Sequence, residues 1–435
     1  MAGLARLARG LTVRVAIIGA GYAGMAAAAT LAADGIPATV FESSRVLGGR
    51  ARRVECRGRR FDNGQHILVG AYTELLRLMR LVGADPALLL ERRPLSLTFP
   101  GHMRLVAPRL PAPLHLAAAL LTARGLPFAA RLDALRFMRA MKQTGFRLER
   151  DMSFADLMAR QRQHAAAIRY LWQPLCVSAL NTPPQDASAQ VFLNVLRDTL
   201  AARREASDLL LPRVDFSALF PEPAERFVRE RGGDVRRGAA IRSVIQHPDG
   251  FILTGDTSGR IYTHVIAAVA PGHLPRLVAT LPRLQPVLDD IAAFAYEPIL
   301  TAYLGYPQPV RLPDAMTGVG ETAHFLFQHT DDVLAAVVSV SRPLLSLPHA
   351  AIIERIHAEV RSIVGDAPAP AWFRVIAEKR ATFACRPGMR RPACETPLEN
   401  FYLCGDYVAS DYPATLEAAA RSGIACARLV SRKAA

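Results

Sequence analysis

The chain has 435 residues, 51% of them hydrophobic, and a formal net charge of +15. That length exceeds a single hydrophobic core and implies two domains, and the apolar content suffices to bury both, which excludes a disordered or fibrous protein. Only Lys142, Lys379 and Lys433 are lysines, and the arginines are dispersed along the chain; this excludes the dense basic block of a nucleic-acid partner but leaves an attraction to anionic lipid headgroups.

Arg6 and Arg9 stand among leucines and alanines, with no apolar core of signal-peptide length before the first strand, so no export is expected. Cys56, Cys176, Cys385, Cys394, Cys404 and Cys426 show neither CxxC spacing nor pairing with histidine. They fit free thiols in a cytoplasmic protein with no metal centre.

Residues 13–18 form an apolar, β-branched run that enters Gly19-Ala20-Gly21-Tyr22-Ala23-Gly24 and an alanine-rich helix. A second apolar run over 38–41 ends at Glu42, completing a βαβ unit. Gly19 permits the tight turn, Gly21 lets the backbone approach phosphates, and Gly24 lets helix and strand pack closely. The helix N-terminus offers its N–H groups to negative charge. Glu42 is placed to accept ribose hydroxyls, and its charge repels a 2′-phosphate, which selects FAD or NAD over NADP. Gly48-Gly49-Arg50 follows at once, a second close-approach turn with a guanidinium for the pyrophosphate. Residues 15–33 are nineteen positions without a charge, the length of a membrane span. The early glycines behind a strand pattern favour the nucleotide site.

Further along, Asp62 and Asn63 are read as organising their own turn. From Thr73 to about Leu211 the pattern is helical, with Leu75, Leu76, Met79 and Val82 on one face and Leu132, Leu135, Met138 and Met141 on another. Between them, residues 108–127 are an apolar stretch bracketed by prolines and too short to span a bilayer. Two readings stay open for it: a segment that dips into a membrane interface, or a buried helical hairpin. Tyr170 and Trp172 are read as core residues or as the wall of a channel for an apolar substrate.

Strand patterns return at Arg231. Residues 232–235, 239–245, 250–254 and 261–269, punctuated by turns at Pro248-Asp249-Gly250 and Ser258-Gly259, predict a small meander ending at Pro271-Gly272. Residues 296–306 and 325–340 predict further strands, and Ile352, Ile353, Ile356, Val360 and Ile363 mark an amphipathic helix over 350–364. Near the C-terminal end a strand pattern runs into Gly405-Asp406, then into Tyr412-Pro413-Ala414 and a small-residue helix. Asp406 suits ribityl hydroxyls or water at a pyrophosphate. The helix opened by Pro413, with Ala414 at its start, can point N–H groups at a flavin carbonyl edge. NAD folds rarely return this late in the chain to complete the site, so the two ends together select FAD.

The segments GAGYAG, FES, GGR, YLCGDY and YPATLEAAARSG resemble the amine oxidase and phytoene desaturase superfamily of FAD proteins. Within it, Asp62-Asn63-Gly64-Gln65-His66-Ile67-Leu68 and Lys379-Arg380-Ala381-Thr382-Phe383-Ala384 are similar to the hydroxysqualene dehydroxylases, also called squalene-associated FAD-dependent desaturases. The resemblance implies an α/β fold. A Rossmann-like FAD-binding domain would be assembled from the discontinuous segments 1–72, 226–272 and 396–435, with a mixed α+β substrate domain from 73–225 and 273–395. It further implies that Gly19, Gly21, Gly24, Glu42, Gly49, Arg50, Gly405 and Asp406 hold FAD, with Ile241 against the adenine. Tyr407 stands where relatives often have tryptophan, and Ala418 where glycine is common.

The implied reaction is reduction of hydroxysqualene to squalene by FADH2 with loss of water. Many amine oxidases of the superfamily carry a lysine on the strand matching 296–306. This chain has none there, so an isoprenoid lipid is the better expectation than an amine. Hydroxide leaves poorly, and some group must protonate it or hydrogen-bond to it. His66 is the first candidate and Tyr412 the second, set against a purely structural role for His66 in its glycine turn. The alternatives are an isoprenoid desaturase running oxidatively and a non-catalytic lipid carrier on the same fold. The intact nucleotide motifs argue against the carrier. Peripheral contact with the inner face of the cytoplasmic membrane is compatible with this reading, and no residue pattern names an electron donor.

Overall fold

Val15–Ile18 is buried along its whole length as the middle strand of a five-stranded parallel sheet, in a computed structural model that describes residues 13–320 and 322–434. Its neighbours are Ala38–Glu42 and His264–Ala267, with Asp234–Arg237 and Phe401–Leu403 at the edges. Parallel strands covered on both faces show continuous apolar runs and not alternation, which is why VAII and HVIA carry little periodicity. Three separated parts of the chain thus build one sheet. On its face the helices Tyr22–Ala33 and Leu416–Ala434 pack against each other. A Cβ on Gly423 would lie 2.2 Å from the Ala23 carbonyl oxygen, so this close helix contact needs glycine.

The strands expected as one meander divide between two sheets. Only Ser243–His247, Gly250–Thr254 and Ile261–Tyr262 form an antiparallel meander, whereas Asp234–Arg237 and His264–Ala267 join the parallel sheet. A tight turn is written locally, but a parallel partner lies far away in sequence and leaves no local mark.

A second five-stranded sheet runs in the order Met316–Gly318, Phe325–Thr330, Val333–Val338, Tyr296–Gly305, Trp372–Phe383, antiparallel throughout. Alternation along Tyr296–Gly305 sends Leu300, Ala302 and Leu304 into a core with Ile352, Ile353, Ile356 and Val360 of the helix His349–Val364. Thr301 and Tyr303 therefore point the other way, toward residues 62–65. The Tyr303 hydroxyl donates to the Asp62 carbonyl at 3.1 Å.

The middle of the chain supplies the helices Thr73–Leu81, Leu114–Thr122, Phe128–Gln143, Phe154–Arg160, Gln173–Leu180 and Ala189–Leu196. The unbroken helical pattern expected from Thr73 onward is interrupted by the strands Leu90–Arg93, Ser96–Phe99, Met103–Val106 and Leu209–Pro212. Pro100-Gly101 turns the hairpin, with Gly101 at φ +76° and the His102 N–H bonded to the Phe99 carbonyl at 3.0 Å. Leu114–Thr122 buries His115, Leu116, Ala119 and Leu120 and exposes Leu114 and Leu121. Among the described residues no helix is long and apolar enough to cross a membrane.

Candidate cofactor and substrate site

The carboxyl ends of parallel strands form the edge at which open α/β sheets bind ligands, and the residues of interest gather there. After Ile18 the chain turns at Gly19, with φ +109° and its N–H bonded to the Phe41 carbonyl at 2.7 Å. A Cβ on Gly19 would stand 2.5 Å from the Ala268 carbonyl oxygen, and one on Gly24 would stand 1.9 Å from that of Gly19. Both positions therefore serve close backbone packing. Gly21 is different, because a Cβ there meets nothing nearer than the Gly49 Cα at 3.8 Å. Gly21 is the N-cap of Tyr22–Ala33, a helix with no side-chain cap and no acid in its first turn, so its first N–H groups are free for an anion. Gly21 also pairs in a parallel bridge with Gly48, and Gly49 at φ +63° abuts it. The two glycine turns make one floor without side chains, which fits a pyrophosphate.

Arg50 and Asp406 close this floor. The guanidinium donates to Asp406 at 2.5 Å and to the Ala381 carbonyl at 2.6 Å. On the opposite side Glu42 accepts the Ala20 N–H at 2.7 Å on one oxygen and the Ser44 N–H at 2.8 Å on the other. The Ser43 hydroxyl also donates to the oxygen that Ser44 occupies, at 3.3 Å, so the orientation is fixed and the oxygen facing Ala20 keeps a lone pair for a ribose hydroxyl. The Ala239 N–H donates to the Glu42 carbonyl at 2.8 Å, which brings the loop carrying half-buried Ile241 beside Glu42. The Gly405 N–H donates to the Ser422 hydroxyl at 2.9 Å, and a Cβ on Gly405 would stand 2.5 Å from the ring of buried Tyr407. Ala414 lies ahead of the last helix, which starts at Leu416 and not at Pro413. Thr415 sets that start, its hydroxyl accepting the Ala418 N–H at 3.1 Å.

The loop from Asp62 to His66 meets the second sheet. The Gln65 N–H donates to the hydroxyl of buried Thr301 at 3.3 Å, so Thr301 joins Tyr303 as a residue of the Tyr296–Gly305 strand that meets this loop. The His66 ring packs edge-on against Phe216 with centroids 5.2 Å apart. Burial, then the charge of Arg50, lowers the His66 pKa to about 4, so its imidazole is neutral at pH 7. Asp62 and Asn63 do not organise their own turn. The Asp62 carboxylate accepts the Phe216 N–H at 2.8 Å, and the Asn63 amide donates to the Arg50 carbonyl at 3.3 Å. Tyr22 donates to the Phe216 carbonyl at 2.8 Å, so the residue that packs on His66 is held from both sides. Burial pushes Asp62 up to about 7, against the pull of the Phe216 N–H and with a further push from Asp215.

Tyr412 occupies a different setting. Its hydroxyl donates to Asp198 at 2.8 Å, and burial together with that carboxylate pushes its pKa up to about 12. It fastens the C-terminal segment to the helical region. Sequence reasoning missed Glu417, which is fully buried and accepts the N–H groups of Glu74 and Leu75, each at 3.0 Å, and Arg421 Nε at 2.7 Å. It caps the helix Thr73–Leu81, whose own N-cap Tyr72 contributes no side-chain cap. The signal was an acid with arginine four positions later in an otherwise small-residue helix.

Within the helical region a small cavity of about 10 Å³ is lined by eight leucines and Trp172, with no polar group. Trp172 is a core residue: it is buried, its indole N–H bonds Gln163 at 2.8 Å, and it borders this cavity. Tyr170 stacks on His102 at 5.2 Å.

A dinucleotide cradle on a split parallel sheet, joined to an antiparallel sheet and an apolar helical region, defines a flavin-dependent oxidoreductase. Residues 22–431 match the flavin-containing amine oxidoreductases, and the chain belongs to that family. It is 28% identical over 433 residues to a hydroxysqualene dehydroxylase of Sinorhizobium fredii, spanning 94% of this chain and 96% of that protein. A zeta-carotene desaturase of Zea mays is 26% identical over 475 residues, spanning 95% of this chain and 83% of that one. An oxidoreductase from Methanosarcina mazei shares the fold, with a TM-score of 0.75 at 13% identity over 95% of this chain and 99% of its own.

Proposed function

We propose that the chain binds FAD and converts hydroxysqualene to squalene with release of water, acting on an isoprenoid lipid at the cytoplasmic side of a membrane. The observation that carries this reading is the pairing of a dinucleotide cradle, built on the abutting Gly21 and Gly49, with a helical region whose interior is lined by leucines and Trp172. Two features support it: the full-length similarity to hydroxysqualene dehydroxylases, and Thr301 in place of any lysine where the second sheet meets the loop before His66.

Reduced FAD, when bound, supplies the hydride that replaces the hydroxyl. The backbones of Gly21 and Gly49 receive the pyrophosphate, with Gly19 and Gly24 shaping the turn that presents them. Arg50 neutralises the phosphate charge and Asp406 holds Arg50 in place. Glu42 takes the adenosine ribose, Ile241 covers the adenine, and the backbone at Gly405 and Ala414 lines the ribityl and flavin side. His66, held neutral, donates a hydrogen bond from its ring N–H to the departing hydroxyl and stabilises the charge that develops there.

The similarity to zeta-carotene desaturases makes oxidative desaturation the second reading. Purified protein incubated with hydroxysqualene and a chemical reductant is expected to yield squalene, and with phytoene or zeta-carotene and a quinone to leave the polyene unchanged. The reverse pattern overturns the dehydroxylase reading in favour of the desaturase.

A further inference from the structure

Among the described residues ten large hydrophobic side chains are exposed, and five of them, Val106, Leu110, Leu114, Leu121 and Phe128, lie within one short stretch. Such a concentration in one segment points to an interaction surface, whereas scattered exposed hydrophobics do not. The surroundings are cationic: residues 94–148 carry eight basic side chains and a single acid, Asp133. Arg104 and Arg124 stand directly opposite each other in an antiparallel bridge, with backbone N–H···O distances of 3.0 and 2.9 Å. Like charges so placed repel, and neither exposed guanidinium is paired with a carboxylate among the described residues. An apolar face bordered by unpaired arginines is complementary to a bilayer surface bearing anionic headgroups.

The same helix reaches the interior. Leu114 and Leu121 face outward, while Leu116 and Leu120 line the apolar cavity. His115 between them is completely buried with neither ring nitrogen hydrogen-bonded, a cost that is relieved when the helix lifts. We propose that residues 106–128 dock this chain on an anionic bilayer and that its lipid substrate passes from the bilayer beneath the Leu114–Thr122 helix into the apolar interior, which opens as this helix lifts. The passage rests on the isoprenoid reading above; the docking does not.

The test uses the full-length, flavin-loaded protein sedimented with vesicles of phosphatidylcholine alone or mixed with phosphatidylglycerol. Wild type is expected to partition onto the anionic vesicles. R104Q/R124Q should lose about thirtyfold in partition, from roughly 1 kcal/mol per arginine near such a surface. L114S/L121S/F128S should lose at least about tenfold. A wild type that stays in solution, or variants that partition like wild type, overturn the docking; so does a face that proves to mediate association with protein and not with vesicles.

Turnover is then compared with hydroxysqualene presented in vesicles or dispersed in detergent. L114S/L121S/F128S should lose at least about tenfold with vesicles and no more than about twofold in detergent, and equal losses overturn the passage. If vesicle binding follows the expected pattern while hydroxysqualene is never consumed, the docking stands and the dehydroxylase reading falls.

Discussion

Arg50 and Asp406, 356 positions apart in the chain, form an ion pair at 2.5 Å over the carboxyl ends of the parallel strands. One bond thereby joins the first and last stretches of chain that build the parallel sheet, and the second bond of Arg50, to Ala381, ties in the other sheet. Arg50→Ala removes the cation and leaves Asp406 unpaired. Flavin affinity is expected to fall by at least tenfold, since hydrogen bonds to charged groups contribute about 1.5–3 kcal/mol each. The flavin absorbance of the purified variant checks this, and full occupancy would contradict it.

Gly21 and Gly24 are separable by the same readout combined with thermal melting. A Cβ at Gly24 would clash with the Gly19 carbonyl at 1.9 Å, so Gly24→Ala should destabilise the protein by about 1–3 kcal/mol with or without flavin. A Cβ at Gly21 has open space in the chain itself but projects toward the pyrophosphate floor. Gly21→Ala should therefore leave the apoprotein melting temperature within a degree or two, roughly, while weakening flavin binding tenfold or more, on the order of 1.4 kcal/mol. Similar melting behaviour in the two variants would remove the distinction drawn between these glycines.

The nucleotide half of the site was legible because its chemistry is written locally: glycines at Gly19, Gly21, Gly24 and Gly49, an acid at Glu42 and a guanidinium at Arg50 all lie within one βαβ unit and its following turn. The C-terminal Gly405-Asp406 was legible for the same reason. What stayed hidden was every relationship set by distant packing. Asp62 bonds the backbone of Phe216, and Glu417 caps a helix more than three hundred positions before it, where the residues between carry no trace of the pairing. The parallel partners of Asp234–Arg237 and His264–Ala267 were misassigned to a local meander for the same physical reason. Thr301 became a site residue only once the strand alternation fixed which side chains face His66 and its loop.

Asp62 gives a pH-dependent stability with a definite sign. Its pKa is about 7 in the folded protein against 3.8 ordinarily, so the folded state binds the proton more tightly. The stability linked to that proton is fully present below pH 3.8 and is lost as pH rises to 7. Asp62→Asn keeps an acceptor for the Phe216 N–H and carries no charge. It should melt higher than wild type at pH 8, by the equivalent of at most about 4 kcal/mol, and close to wild type at pH 4. His66 works in the opposite sense, its contribution being full above pH 6.5 and lost as pH falls toward 4. Identical melting curves for Asp62→Asn and wild type at pH 8 would contradict the buried, proton-binding state of Asp62.

Glu417 should matter for stability more than its place in a small-residue helix suggests. Replacing it with Ala leaves two helix-terminal N–H groups without their acceptor in a buried position and takes the carboxylate partner from Arg421, which keeps the Thr73 hydroxyl. A loss of about 3–5 kcal/mol is expected by denaturant unfolding, with Glu417→Gln losing less because one oxygen remains. Equal losses for the two substitutions would point to packing and not to the cap.

The central claim is tested most directly by reducing the purified yellow protein anaerobically, adding hydroxysqualene in detergent, and following the flavin absorbance while extracting the lipid. One squalene formed for each flavin reoxidised is the expected result. A flavin that stays reduced, with no squalene in the extract, would contradict it.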